Sequence, residues 1–328
     1  MKNDKQTPDF DFDHWASIAK QDPEQFEQMR QLTEAPFNAN FFCHKPARPD
    51  ADREAQWRAR LGSYYTELGL ETAAIPPSAA RAPFDEAMCE LVEEFKPQVV
   101  SFHFGLPEPA LLKRVKAAGS KVLSSATTVA EACWLEENGC DAIIAQGSEA
   151  GGHRAMFLAE SIATQVGTLS LVPQVVDAVS LPVIAAGGIA DGRGIAAAFA
   201  LGASAVQVGT AYLFTPEALI TPLHRKALAA ARDDHTALTN VFSGRPARGL
   251  INKLMREVGP MAMEAPAFPM AGGALAPLKA KAEAAGRADF SSLWSGQSAS
   301  LGREMGAEEL TRTLAAEAMQ RMKLLASK

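Results

Sequence analysis

The 328-residue chain has 32 basic and 38 acidic side chains, a formal net charge of −6 and 47% hydrophobic residues. This composition is typical of a folded globular protein, and its acidic balance argues against nucleic acid or an anionic membrane surface as the main partner. No apolar run approaches the roughly 20 residues of a spanning helix, so we expect no membrane anchor. The four cysteines form no CxxC pair and show no metal-ligand spacing, and we expect a cytoplasmic protein with reduced thiols.

Residues 1–35 form an acidic lead that is predicted to be helical. A run of alternating aspartates precedes Trp15, and Asp22 followed by Pro23 is typical of the N-cap and first turn of a helix. Nothing in this segment has the pattern of a buried parallel strand. The lead therefore has the character of a separate helical segment joined to the rest of the chain.

Short apolar strands alternate with helices from residue 36 to residue 215. This alternation is typical of βαβ units and a parallel sheet, and apolar runs without period-two alternation fit strands covered on both faces. A helix over about residues 50–68 is predicted to bury one face, which carries Trp57, Leu61, Tyr64 and Tyr65. Six strands are predicted, around residues 37–42, 99–104, 121–125, 141–145, 181–186 and 205–211.

The alternation breaks after Tyr212, and residues 216–328 are predicted to form a smaller, mostly helical cap beside the sheet. Its last element is an amphipathic helix over residues 310–325. Residues 259–276 are dense in Pro, Gly, Met and Ala. This stretch either lines a ligand cavity or is a long surface connection.

Glycine follows three of the predicted strands, in the turns that begin at Gln146, at Ala186 and at Gln207. Ligands of parallel α/β folds bind at the carboxyl ends of the strands. Glycine lets backbone N–H groups approach an anion closely, and the helix that follows adds a favourable dipole. The two later turns are therefore predicted to bind a phosphate group, with ordinary turns as the alternative. Their residues are Gly187, Gly188, Gly209 and Thr210.

His153 is the histidine that lies inside a glycine-rich turn at a strand end. An imidazole there can abstract a proton or polarise an oxygen near neutral pH, and the alternative is a histidine that bonds a backbone carbonyl. His44 and His103 are predicted to be structural. The histidine spacing predicts no metal bound by the protein, and the lack of a GxSxG or GxxxxGK[ST] motif argues against hydrolase chemistry.

Two polar clusters each have two interpretations. The hydroxyl-rich segment 124–128 either bonds the polar edge of a cofactor ring or supplies the N-cap of the next helix through Thr127 or Thr128. Arg245 and Arg248 either hold a carboxylate or phosphate or lie in a solvated turn.

Several of these segments together resemble nitronate monooxygenases, formerly called 2-nitropropane dioxygenases, from about residue 32 to the end of the chain. The glycine turns alone are shared with FMN-dependent enoyl-acyl-carrier-protein reductases. The segments around Asn40 and Trp294 favour the monooxygenase branch. The similar segments are residues 38–44, 146–153, 185–192, 207–210, 242–249 and 293–297.

The resemblance implies a TIM-barrel flavoprotein that binds FMN without a covalent bond and oxidises an alkyl nitronate with O₂, giving a carbonyl compound and nitrite. It implies that His153 is the catalytic residue at the nitronate and that the phosphate lies at the glycine turns named above. We expect Glu149 to point away from the flavin, because a carboxylate near the anionic nitronate would repel it. The small nitronate and O₂ are then the partners, and a homo-oligomer is left open. The residues expected beside the flavin are Asn40, Gln146, Gly151 and Gly152.

The chain departs from the family at its start. The family opens with a strand carrying Gln-Ala-Pro-Met and a second strand ending in a Gly-Gly-Leu-Gly type of turn, and neither precedes Asn38. Six strands cannot close an eight-stranded barrel unless residues 261–274 or a partner chain substitutes. Otherwise the barrel is incomplete at its N-terminus, and the alternative to an active enzyme is a catalytically impaired flavin-binding remnant.

Overall fold

The computed structural model describes residues 17–18, 23–46, 48, 50–71, 82–159 and 161–327. Its strands are β1 (Ser17–Ile18), β2 (Asn38–Phe42), β3 (Val99–His103), β4 (Lys121–Ala126), β5 (Ala142–Gln146), β6 (Gly152–His153), β7 (Val183–Ala186), β8 (Ala205–Gln207), β9 (Thr236–Thr239) and β10 (Ala247–Leu250). The α-helices are α1 (Pro23–Leu32), α2 (Ala51–Glu67), α3 (Glu86–Phe95), α4 (Pro109–Ala117), α5 (Val129–Glu137), α6 (Thr168–Ala178), α7 (Gly192–Ala200), α8 (Pro222–Ala229), α9 (Lys253–Val258), α10 (Ala276–Ala284) and α11 (Ala307–Ala326). Short 3₁₀ helices cover residues 162–164, 210–214, 270–275 and 299–301.

The main sheet is parallel and has the strand order β1-β2-β3-β4-β5-β7-β8. It contains all six predicted strands, and helices cover its outer face. The predicted α/β class is therefore confirmed as a curled parallel half-barrel. Among the described residues, no hydrogen-bonded strand pair joins β8 to β1.

Two expectations about the acidic lead are wrong. β1 is a parallel strand that pairs in register with the first two residues of β2. The lead is also not separate, because Phe26 of α1 is buried and its ring centroid lies 5.0 Å from that of Phe95 in α3. The helix start at Pro23 is confirmed, whereas the features predicted at Trp15 and Asp22 lie outside the described residues.

The strands alternate between an outer face under the helices and an inner face. In β3, Val100 and Phe102 join the outer core, while Ser101 and His103 face inward. Each large apolar side chain buried in this way contributes about 1.5–3 kcal/mol. The sequence shows no period-two pattern because inner residues near the amino ends of the strands, such as Val99, are apolar as well.

Helix α2 packs against the cap rather than against the sheet. Its predicted face is confirmed, since Trp57, Leu61, Tyr64 and Tyr65 are buried together with residues from the range 241–290. Trp57 Nε1 donates to the carbonyl of residue 271 (3.1 Å), and the Tyr65 hydroxyl donates to the carbonyl of residue 274 (2.7 Å). Residues 261–274 therefore do not supply a substitute strand for the sheet, and that one of the alternatives is wrong.

The last helix, α11, returns to the half-barrel and packs on α7. Gly192 N at the start of α7 donates to Glu317 Oε2 (3.2 Å), and Arg303 Nη1 pairs with Glu317 Oε1 (2.6 Å). Leu310, Leu314 and Ala318 of α11 belong to one apolar cluster with Ile195 of α7. The division into residues 1–35, 36–215 and 216–328 stays a prediction. Both α2 and α11 pack across its boundaries, α2 on the cap and α11 on the half-barrel.

A small antiparallel sheet, with the order β6-β10-β9, lies beside the half-barrel. β10 pairs Ala247 with His153 and Arg248 with Gly152. The backbone that carries His153 is therefore held by a strand from the cap. Across the described helices, none is long and apolar enough to cross a membrane.

Two glycines offer a matched test of the packing of α11 on α7. A Cβ on Gly192 would lie 2.3 Å from Glu317 Cβ, whereas nothing lies within 4 Å of a Cβ on Gly62 in α2. Gly192→Ala is expected to lower the free energy of unfolding by about 1–3 kcal/mol, because α11 must shift. Gly62→Ala is expected to raise it by about 0.5–1 kcal/mol. Urea unfolding measures both, and a Gly192→Ala protein as stable as the wild type would contradict this packing.

Candidate active site

A cavity of about 390 Å³ lies at the carboxyl edge of the half-barrel. Parallel α/β folds bind their ligands at this edge. All of the residues predicted to form the site lie on the cavity wall, although they come from separate stretches of the chain. They are Asn40, Gln146, Gly151, Gly152, His153, Gly187, Gly188, Gly209 and Thr210.

Apolar side chains fill the inner face of the sheet below the cavity. Val99, Leu123, Ile144 and Ile184 belong to this buried cluster. The wall above it presents amides, hydroxyls, backbone groups and two imidazoles. Among the described residues that line the cavity, none is Asp, Glu, Lys or Arg.

A chain of hydrogen bonds orients Asn40. Asn38 Nδ2 donates to Ser101 Oγ (2.8 Å), and Ser101 Oγ donates to Asn40 Oδ1 (2.9 Å). The register of β2 and β3 pairs Asn40 with Ser101, so these groups share the inner face. Because Oδ1 accepts this bond, the Asn40 amide offers its NH₂ group as a donor on the wall.

The turn after β7 needs glycine at two successive positions. Gly187 and Gly188 have φ values of 115° and 70°, in the left-handed region that other residues rarely adopt. A Cβ on Gly187 would lie 3.0 Å from Ala150 N, and one on Gly188 would lie 3.2 Å from Glu149 Cβ. The turns after β5 and β7 are therefore in direct contact at the wall.

Gly209 is the N-cap of the 3₁₀ helix that follows β8, and Thr210 is the first residue of that helix. Gly209 has a φ of −111°, and a Cβ there would stand in open space with nothing within 4 Å. Glycine at this position is thus required neither by its backbone conformation nor by packing against the protein. A ligand that lies against the backbone would account for it.

Residues 294–298 hold the glycine turns together from the cap side. Gly151 shows how closely the two segments pack, since a Cβ on Gly151 would lie 2.5 Å from Gly296 N. Glycine at residue 151 is therefore explained by the contact between two backbones. The hydrogen bonds across this contact run from Gly296 N to Thr210 Oγ1 (2.9 Å), from Gln297 N to the Glu149 carbonyl (3.0 Å) and from Ser298 Oγ to the Gly188 carbonyl (2.7 Å).

The Glu149 carboxylate is directed away from the cavity. Oε2 accepts hydrogen bonds from Thr168 N and Thr168 Oγ1, both at 2.8 Å. Thr168 is the first residue of α6, so the carboxylate lies at the positive end of that helix. Glu149 is not among the residues that line the cavity, which agrees with the orientation expected from the sequence.

The His153 imidazole is held by one hydroxyl and enclosed by aromatic rings. Its Nε2 lies 2.8 Å from Ser243 Oγ. The ring centroids of Phe268 and Trp294 lie 5.3 Å and 5.4 Å from that of His153, and Phe42 and Phe104 lie at 6.1 Å each. The half-buried imidazole is thus held on the cavity wall by a hydroxyl and by the aromatic rings around it.

Two inner side chains hold the backbone of His153. Gln146 Nε2 lies 3.0 Å and His103 Nε2 lies 3.2 Å from the His153 carbonyl oxygen. Gln146 Oε1 in turn accepts a hydrogen bond from Ala155 N (2.9 Å). His103 therefore has the structural role predicted for it, and it also lines the cavity.

Arg154 and Arg248 are buried behind the wall, and Arg245 is half-buried. Arg154 donates to two carbonyls at the end of β5 (2.5 and 2.7 Å), Arg248 donates to the Ser148 carbonyl (2.9 Å), and Arg245 lies 3.9 Å over the Phe104 ring. Burial lowers the pKa of Arg154 and of Arg245 to about 10. Neither an anion site nor a solvated turn describes Arg245 and Arg248, so both interpretations from the sequence are wrong.

The structure also bears on the alternatives left open for segment 124–128 and for residues 259–276. Thr128 is the N-cap of α5 and accepts a hydrogen bond from Glu131 N (3.2 Å), which confirms the capping interpretation, while Ser125 lies on the cavity wall. Residues 259–276 do not line the cavity. That segment instead packs on α2 and brings Phe268 against His153.

Sequence reasoning missed several groups that shape the site. Ser101 orients Asn40, Ser243 contacts His153, and Trp294 and Ser298 line the cavity. Ser101 carried a readable signal, because it lies two residues before His103 and hence on the same face of β3. The positions of Ser243, Trp294 and Ser298 depend on how the cap packs, for which the sequence offers no local pattern.

Comparison with known proteins identifies what the chain is similar to. The family model described as nitronate monooxygenase matches residues 20–317. A nitronate monooxygenase of Pseudomonas aeruginosa is 43% identical over 296 residues, covering 88% of this chain and 83% of the relative. The nitroalkane oxidase of Streptomyces ansochromogenes superposes with a TM-score of 0.82 at 37% identity, covering 92% and 86% of the two chains. FabK of Thermotoga maritima has a TM-score of 0.68 at 29% identity, covering 93% and 83%.

The half-buried His103 predicts a loss of stability in acid. Burial lowers its pKa from 6.5 to about 4. As the pH is lowered from 6.5 towards 4, the unfolded chain takes up a proton that the folded protein does not. The free energy of unfolding therefore decreases over this range by up to about 3 kcal/mol. His103→Gln, whose amide can still donate to the His153 carbonyl, is expected to lose this part of the acid sensitivity. Urea unfolding at pH 7 and pH 4.5 measures it, and an equal pH dependence in both proteins would contradict it.

Proposed function

Because the chain belongs to the nitronate monooxygenase family, we propose that it binds FMN in the cavity and oxidises small alkyl nitronates with O₂. In the net reaction two nitronates and one O₂ give two carbonyl compounds and two nitrite ions, which balances atoms and charge. The observation that carries the proposal is the His153 imidazole on the wall of a cavity bounded by glycine turns.

The wall fits a flavin mononucleotide. The family is one of flavoenzymes, and we assign the FMN phosphate to Gly187, Gly188, Gly209 and Thr210. The left-handed turn at the first two glycines and the open space beside Gly209 support this assignment, because backbone N–H groups bind an anion best where no side chain intervenes. When bound, the flavin would supply the electron acceptor and the reaction with O₂.

We assign the ring of the cofactor to the part of the wall that carries Asn40, Gly151 and Gly152. The Asn40 NH₂ group is supported as a donor to a ring carbonyl, since its own oxygen already accepts from Ser101. Gln146 also lies on the wall, but both polar atoms of its side chain bond the backbone of residues 153–155. We therefore propose that Gln146 acts chiefly by holding the loop of His153.

We propose that His153 binds the reacting group of the substrate. A nitronate is an anion, and a protonated imidazole donates a hydrogen bond to its oxygen. With a neutral nitroalkane, the neutral imidazole can take the proton from the α-carbon. The rings of Phe268 and Trp294 pack against the imidazole, and a donor held in place in this way stabilises a negative charge better than a mobile one.

One experiment tests the proposal as a whole. Bound FMN, O₂ consumption and nitrite release are measured on the same sample with ethyl nitronate or propyl-2-nitronate. The proposal predicts a yellow protein that releases nitrite in proportion to the nitronate consumed. A colourless protein that FMN cannot restore would contradict the proposal, and a yellow protein that releases no nitrite would support the catalytically impaired flavin-binding remnant.

The alternative activity is that of an enoyl reductase with reduced nicotinamide as the donor. Anaerobic addition of nitronate or of NAD(P)H separates the two, because only the true donor bleaches the flavin absorbance. The higher similarity to the nitroalkane oxidase than to FabK, in both identity and TM-score, favours nitronate.

A cytoplasmic location is part of the same proposal. The four cysteines are free, which fits a reducing compartment. Light scattering of the purified protein measures whether the chain forms a homo-oligomer.

His153→Asn is expected to keep the bound FMN and to lower nitronate turnover by about a hundredfold or more. Asparagine fits the space but cannot carry the charge or exchange the proton of an imidazole. Steady-state nitrite release, normalised to bound flavin, measures the effect. Unchanged turnover would remove His153 from the mechanism.

Gly209→Val is expected to weaken FMN binding at least about tenfold without loss of stability, because its side chain would occupy open space at the phosphate end. Gly188→Val is expected to weaken FMN binding and also to destabilise the fold, since its φ is 70°. Gly62→Ala in α2 is the control and should leave binding unchanged. Flavin fluorescence titration gives the affinities, and wild-type affinity in Gly209→Val would contradict the phosphate assignment.

A further inference from the structure

We propose that Trp294 limits the size of the alkyl group that the site accepts, because its indole forms a rigid apolar wall beside His153. A nitronate with a short alkyl group then packs against the indole, whereas a long chain meets the ring before the anion reaches His153. This inference rests on the proposed function, which assigns the reacting group of the substrate to His153 but leaves open the size of its alkyl group.

Strand β10 places the side chain of Trp294 next to that of His153. Ala247 of β10 is paired with His153, and Gly249 of the same strand is paired with Trp294, both in antiparallel fashion. Residues directly opposite each other in an antiparallel pair share one face of the sheet, and positions two apart on a strand share a face as well. The indole and the imidazole therefore lie side by side on one face, with ring centroids 5.4 Å apart.

Trp294 is the ring that a substrate at His153 meets on the cavity wall. Of the four phenylalanine and tryptophan rings described beside His153, those of Trp294 and Phe42 belong to residues that line the cavity, and those of Phe104 and Phe268 do not. The indole is also the nearer of the two, at 5.4 Å against 6.1 Å for Phe42. Because tryptophan has the larger side chain, it takes most of the room beside His153 that an alkyl chain would need.

The indole has little room to move aside. A Cβ on Gly249 would lie 3.2 Å from Trp294 Cε3, so the ring lies directly against the backbone of β10. The Phe242 ring contacts the indole edge to face, with ring centroids 5.7 Å apart. A side chain packed against a backbone on one side and against a second ring on another cannot rotate without displacing its neighbours.

The backbone of Trp294 is held as well. Its two neighbours in the chain bond the backbone of β10, at 2.8 and 3.2 Å. His224 Nε2 lies 3.1 Å from the Trp294 carbonyl oxygen, and because a carbonyl oxygen only accepts, Nε2 is the donor. A ring that is fixed at its backbone and at its side chain sets one size limit and does not adapt to each substrate.

A smaller side chain at residue 294 is expected to open apolar space beside His153. When a packed ring is removed, its surroundings close the gap only in part, and an apolar cavity takes up an apolar group more readily than water. One methylene group more or less in an apolar pocket changes kcat/KM by about tenfold or more. The preference between long and short nitronates therefore reports on Trp294 directly.

The test compares the wild type with Trp294→Leu, Trp294→Phe and the control Phe290→Leu. Phe290 is a buried ring of the cap that packs on Tyr64 (5.3 Å) and does not line the cavity. Nitrite release, normalised to bound flavin, gives kcat/KM for ethyl nitronate and for hexyl nitronate. We expect Trp294→Leu to raise the ratio of hexyl to ethyl kcat/KM by at least about tenfold, Trp294→Phe to raise it by a smaller factor, and Phe290→Leu to leave it unchanged.

Alkyl carboxylates provide a second readout that does not depend on turnover, because they also carry a planar anion at the end of an alkyl chain. Isothermal titration calorimetry of the flavin-loaded proteins is expected to show octanoate bound about tenfold more tightly by Trp294→Leu than by the wild type, and propanoate bound alike by both.

Wild-type selectivity in both variants of Trp294 would overturn the inference, whether it is seen in kcat/KM or in carboxylate binding. If Trp294→Leu is isolated without FMN, Trp294→Phe decides, since it keeps an aromatic ring against Gly249. Failure of the proposed function is separate, because it would appear as a lack of nitrite release or as full turnover in His153→Asn.

Discussion

The site depends on backbone segments that approach one another with no side chain between them. The turn after β5 meets the turn after β7 at Gly187 and meets the cap at Gly151, where a Cβ would lie 3.0 Å and 2.5 Å from a backbone nitrogen. These contacts bring strand ends that are distant along the chain to one cavity wall. A larger residue at either position would push the segments apart, so the cavity, the glycine turns and the loop of His153 all depend on these close contacts.

His153 is held by groups from several different elements. β10 pairs with its backbone, Gln146 and His103 contact its carbonyl, and Ser243 contacts its ring. Each contact alone is modest, but together they restrict the imidazole to one orientation. Orientation of a reacting group is a large part of what an enzyme supplies. The half-barrel and the cap must therefore both be assembled before the site has its geometry.

The sequence predicted the elements whose signals are local. Six strands, the buried face of α2 and the helix start at Pro23 follow from apolar runs, spacing and a cap. β1 could not be predicted in this way, because two residues carry no periodic pattern and their role comes from pairing with β2. Arg245 and Arg248 were misinterpreted for a related reason: whether an arginine faces water, an anion or a carbonyl depends on its neighbours in space.

By itself the sequence determined which turns are glycine and which of them carries an imidazole, because a left-handed turn and a strand end are properties of a few successive residues. Only the tertiary structure decided that Ser243, 90 positions along the chain, reaches His153, that residues 294–298 hold the glycine turns together, and that the lead supplies a strand to the sheet. These features depend on long-range packing between the cap and the half-barrel, and no local pattern encodes the distance between two segments that meet only after folding.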